Sequence, residues 1–305
     1  MPPIAATIRC GTNIAGVKRD AFGTQPNLVI RYDLPSARLR PYISAYVVHA
    51  SNSAEPASEW FLPTDAMISI QLDGAKKTLR TLEDRFDLAP ASLVGPTSRA
   101  YLVEGRCGVQ VSIGLRPLGW MALTKQSADT FCDRAIDLKE VTSDRFVALL
   151  MSRVRQINDE SSLASALDNV LETLLVHGEE PTFDVDAVYE ALTVDHELSI
   201  AEITTSLGVS GRKLLNMSKM AFGMSPKLLF RRERFLQGFR EVLMSGDLSA
   251  SVVAKSRYFD GSHFLRDATD FLGTTPRRFI AGGTTLQRAT LLAEQAVLTG
   301  RATAK

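Results

Sequence analysis

A short pattern stands twice near the C-terminal end of this 305-residue chain, about fifty positions apart. The first copy reads Leu214-x-Asn216-x-Ser218 and then Gly223-Met224-Ser225-Pro226. The second reads Phe264-x-Arg266-x-Ala268 and then Gly273-Thr274-Thr275-Pro276. Glycine supplies the left-handed residue that closes a helix. Ser225 and Thr275 suit an N-cap, and Pro226 and Pro276 then fall at the first helical position, where a missing N–H costs nothing. Each copy therefore ends one helix and starts another at the same offset. A duplicated helical module is the strongest constraint on what this chain can fold into.

The residues ahead of the first copy complete a helix-turn-helix. Ser199-Ile200-Ala201-Glu202 has the form of a capping box, and Ile200, Ile203 and Leu207 share one helical face. Gly208 can turn the chain, Val209 can plug the core and Ser210 can cap the next helix. A second helix reached through so tight a turn has the dimensions of the major groove. Ahead of the second copy stand residues 248–254, a connector, and Asp260 as the next cap. Residues 226–244 read as one continuous helix that holds the two modules at a fixed separation.

Charge is distributed unevenly. Residues 197–281 carry thirteen Arg and Lys against eight Asp and Glu, or +5, so the rest of the chain, whose total is +1, carries about −4. A basic half beside an acidic one is expected when only one of them meets phosphates. The apolar share of 45% with 23% charged residues is that of a globular protein with room for two cores. No apolar run approaches the roughly 20 residues that span a bilayer, and residues 1–20 lack the apolar stretch of a signal peptide. Three unevenly spaced cysteines, Cys10, Cys107 and Cys132, make neither a disulfide scaffold nor a zinc quartet. Cys107 and Cys132 read as buried small hydrophobes, and the whole suits a reducing cytoplasm.

The N-terminal half is of another kind. Residues 1–27 lack periodicity and read as a flexible arm. Short β-type runs follow at 28–32, 43–48, 66–72, 91–94, 100–103 and 109–115, at spacings that suit a small antiparallel barrel or sandwich. From 141 to 182 the pattern turns helical, with Phe146, Leu149, Leu150, Val154 and Ile157 at three- and four-residue spacing. That stripe either pairs two subunits or packs on the β-rich domain of its own chain. Residues 177–182 read as a linker, and residues 284–305 as a C-terminal tail with a weak amphipathic helix (Leu286, Ala289, Leu292, Ala293, Ala296). The expected fold class is thus α+β: a β-rich N-terminal domain at 28–140, a helical linker at 141–182, and an all-α domain at 183–283 with two helix-turn-helix motifs joined by a long helix.

From about 198 to 280 the chain resembles the DNA-binding domain of the AraC/XylS family of bacterial transcription regulators. The pieces that carry the resemblance are 201–210 (AEITTSLGVS), 223–226, 258–267 (YFDGSHFLRD) and 273–279 (GTTPRRF). Arg40-Pro41-Tyr42-Ile43, residues 60–65 (WFLPTD), 114–120 (GLRPLGW) and 133–138 resemble the N-terminal domain of part of that family, which implies a cupin-like barrel or sandwich that senses or dimerises. This chain departs from the family at four places, the first being Asn216, where an Arg is common. Ser218 and Ala268 stand where a Phe is usual, so Met217, Met220, Phe222 and Phe271 are expected to fill the space. The second turn, usually with Gly, has Arg257 or Tyr258, which is expected to strain it.

The resemblance implies a sequence-specific DNA-binding regulator, with recognition helices near 210–222 and 260–272. Its base-facing candidates are Arg212, Leu215 and Asn216 in the first helix and Gly261, Ser262, His263 and Arg266 in the second. Arg212 and Arg266 can donate two bonds to guanine, Asn216 can read adenine and Leu215 can touch a thymine methyl. Ser210, Lys213, Lys219 and Arg277 are the phosphate candidates, which position without specifying. Double-stranded DNA, a second copy of the chain, a small organic effector and, for an activator, RNA polymerase are the partners implied. Tyr42, Tyr46, Trp60, Arg116 and Trp120 are the candidates for an effector pocket. No cofactor or metal is expected: of four histidines only His49 lies in the β-rich part, whereas a catalytic metal site needs several. No nucleophile elbow, phosphate-binding glycine loop or paired Cys and His suggests an enzyme. The rival reading is a small-molecule-binding or dimerisation module whose helix-turn-helix domain has degenerated.

Overall fold

The computed structural model describes residues 8–18, 22, 28–51, 56–72, 76–106, 108–175, 183–193, 199–245, 258 and 261–303. A β-rich N-terminal region is followed by a helical C-terminal region. The strands are β1 (Leu28–Asp33), β2 (Ile43–Ser51), β3 (Pro56–Phe61), β4 (Met67–Gln71), β5 (Lys77–Arg80), β6 (Arg85–Asp87), β7 (Ala91–Val94), β8 (Tyr101–Arg106), β9 (Val109–Leu115) and β10 (Ala135–Asp137). They form a six-stranded sheet in the order β1-β2-β9-β4-β7-β10 and a four-stranded sheet in the order β3-β8-β5-β6. Every pairing between these strands is antiparallel.

The period-two alternation of the large sheet decides where everything else goes. Tyr46 and Val48 of β2, Ile68 and Ile70 of β4, and Val111 and Ile113 of β9 are fully buried on one face. Against that face pack α1 (Pro117–Thr124), α2 (Asp144–Gln156) and α3 (Leu163–Leu175), whose Leu150, Val154, Leu167 and Leu171 join the same cluster. The alternate positions Val47, His49, Ser69, Gln110 and Ser112 point the other way, toward a cavity. Of the two roles open to the 146–157 stripe, packing on its own β-rich region accounts for Phe146, Leu150 and Val154. Only Leu149 stands clear of it, 46% exposed. Asp168 of α3 tightens this docking by accepting the Tyr46 hydroxyl at 2.6 Å and the Ser36 N–H at 3.1 Å. Gly119 is what allows α1 so close, because a Cβ there would meet the Tyr42 carbonyl oxygen at 2.0 Å.

The helical region comprises α4 (Val185–Thr193), α5 (Ile200–Ser206), α6 (Gly211–Phe222), α7 (Pro226–Ser245), α8 (Gly261–Leu272), α9 (Pro276–Ala281) and α10 (Thr285–Thr303). Its punctuation is what the duplicated pattern requires. Ser199 and Glu202 close a reciprocal capping box on α5. Gly208, Gly223 and Gly273 adopt φ of +63°, +77° and +68°, values a Cβ disfavours. Ser225 and Thr275 accept the N–H groups of Leu228 and Arg278 at the starts of α7 and α9.

The termini differ from the sequence-based expectation. Rather than a loose arm, residues 8–18 are tied to β1: the Gly11 N–H donates to the Ile30 oxygen, and the Gly11 oxygen accepts from the Tyr32 N–H. The Asn13 side chain closes two further bonds with Leu34. Residues 284–303 are likewise no tail. Helix α10 buries Ala289, Ala293 and Val297 against Phe22, Ile30 and Tyr32, so both ends of the chain meet over β1. Alanines at i and i+4 give a short, flat stripe of low hydrophobicity, which is why the sequence reads as weakly amphipathic although the helix packs closely. Residues 177–182, 248–254, Arg257 and Asp260, with Cys107, His177 and His196, lie outside the described residues.

Candidate nucleic-acid interface and ligand cavity

Helices α6 and α8 carry the same surface pattern, displaced by fifty positions. Leu214, Met217 and Ser218 are buried in one, and Phe264, Asp267 and Ala268 in the other. The outward positions are Arg212, Lys213, Leu215, Asn216 and Lys219 on α6, and Gly261, Ser262, Leu265 and Arg266 on α8. Ser210 caps α6 by accepting the Lys213 N–H at 3.2 Å, and Arg277 is exposed at the start of α9. Eight polar or charged candidates thus lie on outward surface: Ser210, Arg212, Lys213, Asn216, Lys219, Ser262, Arg266 and Arg277. His263 is different. Its ring meets Tyr258 edge-on at 5.3 Å and its Nε2 lies 3.4 Å from an Arg234 nitrogen, so it faces α7.

Leu265 is the residue that sequence reasoning missed. It stands 54% exposed in the register of Leu215, which is 37% exposed. Counting fifty from Leu215 would have found it, because an apolar side chain left outward at the same place on both helices points to contact with something apolar, such as a thymine methyl. The space left where the family has Phe is filled differently at the two sites. Ser218 is fully buried and its hydroxyl donates to the Met224 oxygen at 2.8 Å. Met217, Phe222 and Phe271 are buried as expected, but Met220 is 38% exposed and fills nothing. Tyr258 is buried and its hydroxyl donates to Asp267 at 2.8 Å; Arg257 lies outside the described residues.

Both modules sit against the β-rich region. Leu118 and Met121 of α1, with Cys132, pack against the cluster that contains Met217, Ala221 and Phe222. Lys219 lies 3.8 Å from Asp129. At the second module the Ala100 N–H donates to the Phe271 oxygen at 2.7 Å, and Trp60 packs on Phe279 at 5.7 Å. Arg232 of α7 is the buried link between the regions. Its guanidinium donates to the Thr64 and Thr97 oxygens at 3.3 and 3.1 Å and pairs with Asp65 at 2.9 Å and Glu233 at 2.6 Å.

Between the two sheets, and closed by α7 and α10, lies a cavity of about 330 Å³. Its apolar lining includes Leu79, Val94, Val103 and the ring of Tyr101. Tyr32, Arg116, Arg240 and Glu294 line it as well. Burial first, and then the Glu294 carboxylate, push the Tyr32 hydroxyl above its ordinary range, so it stays a donor at neutral pH. His49 lies 2.9 Å from the Thr290 hydroxyl of α10. That hydroxyl gives its own proton to the Leu286 oxygen, so the imidazole is the donor.

Of the five effector candidates read from sequence, Arg116 lines this cavity. Tyr42, Tyr46, Trp60 and Trp120 do not, and the reason for Tyr46 is the alternation of β2, which turns it to the helix-covered face. Trp120, on the buried face of α1, donates its indole N–H to the Gln126 oxygen at 2.9 Å. Trp60 belongs to the contact with α9. Among the described residues no three His, Cys, Asp or Glu are grouped to hold a metal, and no helix is long and apolar enough to cross a membrane. Burial, aided by Asp133, pushes the Cys132 thiol up to about 12, so it is not a thiolate near neutral pH.

His49 gives this site a testable acid limit. Burial, with a contribution from Lys77, pushes its pKa down to about 4 from 6.5. Between these values the unfolded chain binds a proton that the native state does not, so stability falls as pH falls through that window. The loss by pH 4 is at most about 3 kcal/mol. His49→Gln is expected to flatten the slope of unfolding free energy between pH 6.5 and 4. A slope identical to that of the parent chain would exclude His49 as its source.

No family model and no curated protein matches the chain. Among solved structures it is similar to apo ToxT from Vibrio cholerae, with 10% identity and a TM-score of 0.45 over 78% of this chain and 98% of ToxT. Against ToxT with a bound unsaturated fatty acid the identity is 9% and the TM-score 0.42, over 77% and 98% of the two chains. The AraC-like transcriptional activator CuxR gives 13% and 0.29 over 71% and 88%.

Proposed function

We propose that this chain is a DNA-binding transcription regulator whose activity is set by a small organic molecule in the cavity between its two regions. The observation that carries this reading is the repeated surface of α6 and α8. Each helix presents polar and apolar side chains at matching positions and is followed by a capped proline-initiated helix. Arg212, Asn216 and Arg266 can read base edges, Leu215 and Leu265 can contact thymine methyls, and Lys213 and Arg277 can hold phosphates. The cavity is walled by the β-rich region on one side and by α7 on the other, and α7 joins the two modules. A ligand that prefers one arrangement of these walls therefore biases the placing of α6 and α8, since only differential affinity shifts a population.

Selection of bound sites from random duplex DNA, followed by anisotropy titrations, tests the reading. Arg266→Ala is expected to cost about 1–3 kcal/mol on the selected site and little on random DNA. Lys213→Ala is expected to weaken both alike and to reduce the salt slope by about one unit. Lys213 is preferred to Lys219 because Asp129 already engages the latter. Absence of salt-dependent binding to any duplex would favour the rival, a ligand-binding module with a helical domain that no longer meets DNA.

A further inference from the structure

The charges around the cavity say more about its ligand than its size does, on the premise that the cavity is the effector site. Six charged side chains line it: Asp65, Arg116, Arg232, Glu233, Arg240 and Glu294, which sum to zero. Arg232, Asp65 and Glu233 satisfy one another as a closed ion-pair group. The guanidinia of Arg116 and Arg240 and the Glu294 carboxylate have no hydrogen bond or ion pair among the described residues. All three act on the Tyr32 hydroxyl, which also lines the cavity. Leu79, Val94 and Val103 supply apolar lining.

We propose that the cavity takes an apolar zwitterion, an amino-acid-like molecule whose carboxylate is held by Arg116 and Arg240, whose ammonium is held by Glu294, and whose side chain lies against Leu79, Val94 and Val103. Two guanidinia suit one carboxylate, which offers enough lone pairs for both. A simple carboxylate would pair with the guanidinia but give Glu294 no partner of its own, and a simple amine would set its positive charge beside two guanidinia. A ligand with both charges at one end gives each of the three side chains a partner in the ligand. The volume, about 330 Å³, is at the small end of ligand sites and suits a molecule of that size. Glu294 belongs to α10, so the C-terminal helix supplies the group that distinguishes a zwitterion from an acid.

Calorimetry and thermal shift on the full chain decide this with a panel of apolar amino acids (phenylalanine, leucine, methionine and tryptophan), with 3-phenylpropionate and 2-phenylethylamine as controls. At least one amino acid is expected to bind about tenfold or more tighter than either control, the scale of one charged hydrogen bond. Glu294→Gln is expected to lose about that factor for the amino acid while leaving 3-phenylpropionate as tight or tighter. An unchanged melting temperature of ligand-free Glu294→Gln shows that the fold is intact. The zwitterion is overturned if no amino acid binds, if 3-phenylpropionate binds as well as any of them, or if Glu294→Gln changes nothing. Binding of 3-phenylpropionate that alters DNA affinity would overturn the zwitterion while leaving the effector reading standing. DNA binding indifferent to every bound compound would instead remove the effector reading.

Discussion

Arg232→Ala is expected to lower the unfolding free energy by about 3–5 kcal/mol, the cost of removing one partner from a buried charge network. Arg232 is 2% exposed, and it faces two carboxylates and two backbone oxygens. Without it, the Thr64 and Thr97 oxygens lose a donor at the contact between the regions, and Asp65 and Glu233 confront each other with no positive charge between them. The large pKa increase of the Arg232 guanidinium has the same origin. Burial alone would lower it, but Glu233 and Asp65 reverse the sign. Arg232→Lys is expected to recover only part of the loss, because an ammonium cannot reproduce the planar fork that reaches all four partners. Urea denaturation of the three proteins measures this, and an alanine variant within 1 kcal/mol of the parent would show that the link is dispensable. Because Arg232 joins α7 to the turn after β3, its loss is also expected to speed amide exchange at the Ala100–Phe271 contact.

No reading of composition would have found that role. In the sequence Arg232 is one of three arginines in Phe230-Arg231-Arg232-Glu233-Arg234 and counts toward a basic, solvated helix. Only its phase on α7, one step from Phe235 and Leu236, turns it inward, and only the β-rich region supplies the carboxylate and carbonyl partners. Local signals were legible for the opposite reason. Capping boxes, positive-φ glycines and prolines at N1 act within a few residues, so Ser199, Gly223, Ser225 and Thr275 do in the structure what their neighbours in the chain imply. The strands read from apolar runs were those with one face on the core. Strands β5 and β6, Lys77-Thr78-Leu79-Arg80 and Arg85-Phe86-Asp87, were missed because they alternate charge with a single apolar residue. The cavity was hidden more deeply. It is assembled from strands of both sheets with α7 and α10, and choosing His49 over Tyr46 as a lining residue requires the register of β2, which apolarity alone does not reveal.

The second module offers the other large effect. Asp267 is 1% exposed on α8, on the face that also buries Phe264 and Ala268. Three donors converge on it: the Tyr258 hydroxyl at 2.8 Å, Arg234 at 3.2 Å and Arg231 at 2.5 Å. Burial alone would raise its pKa, but these donors outweigh burial and leave it lowered. The cluster ties α8 to α7 and to Tyr258, just before α8. Asp267→Ala is therefore expected to destabilise the chain by about 3 kcal/mol, the lower end for a broken buried pair, because Arg231 and Arg234 retain partial access to water. Tyr258→Phe is expected to cost about 1 kcal/mol, one hydrogen bond. If both act through α8, hydrogen exchange should accelerate at 261–272 and much less at 211–222, and DNA affinity should fall although neither residue faces outward. Equal acceleration in the two helices would mean that Asp267 stabilises the whole domain and does not position α8. A native-like Asp267→Ala variant would mean that the arginines hold the helix through Asp270 alone.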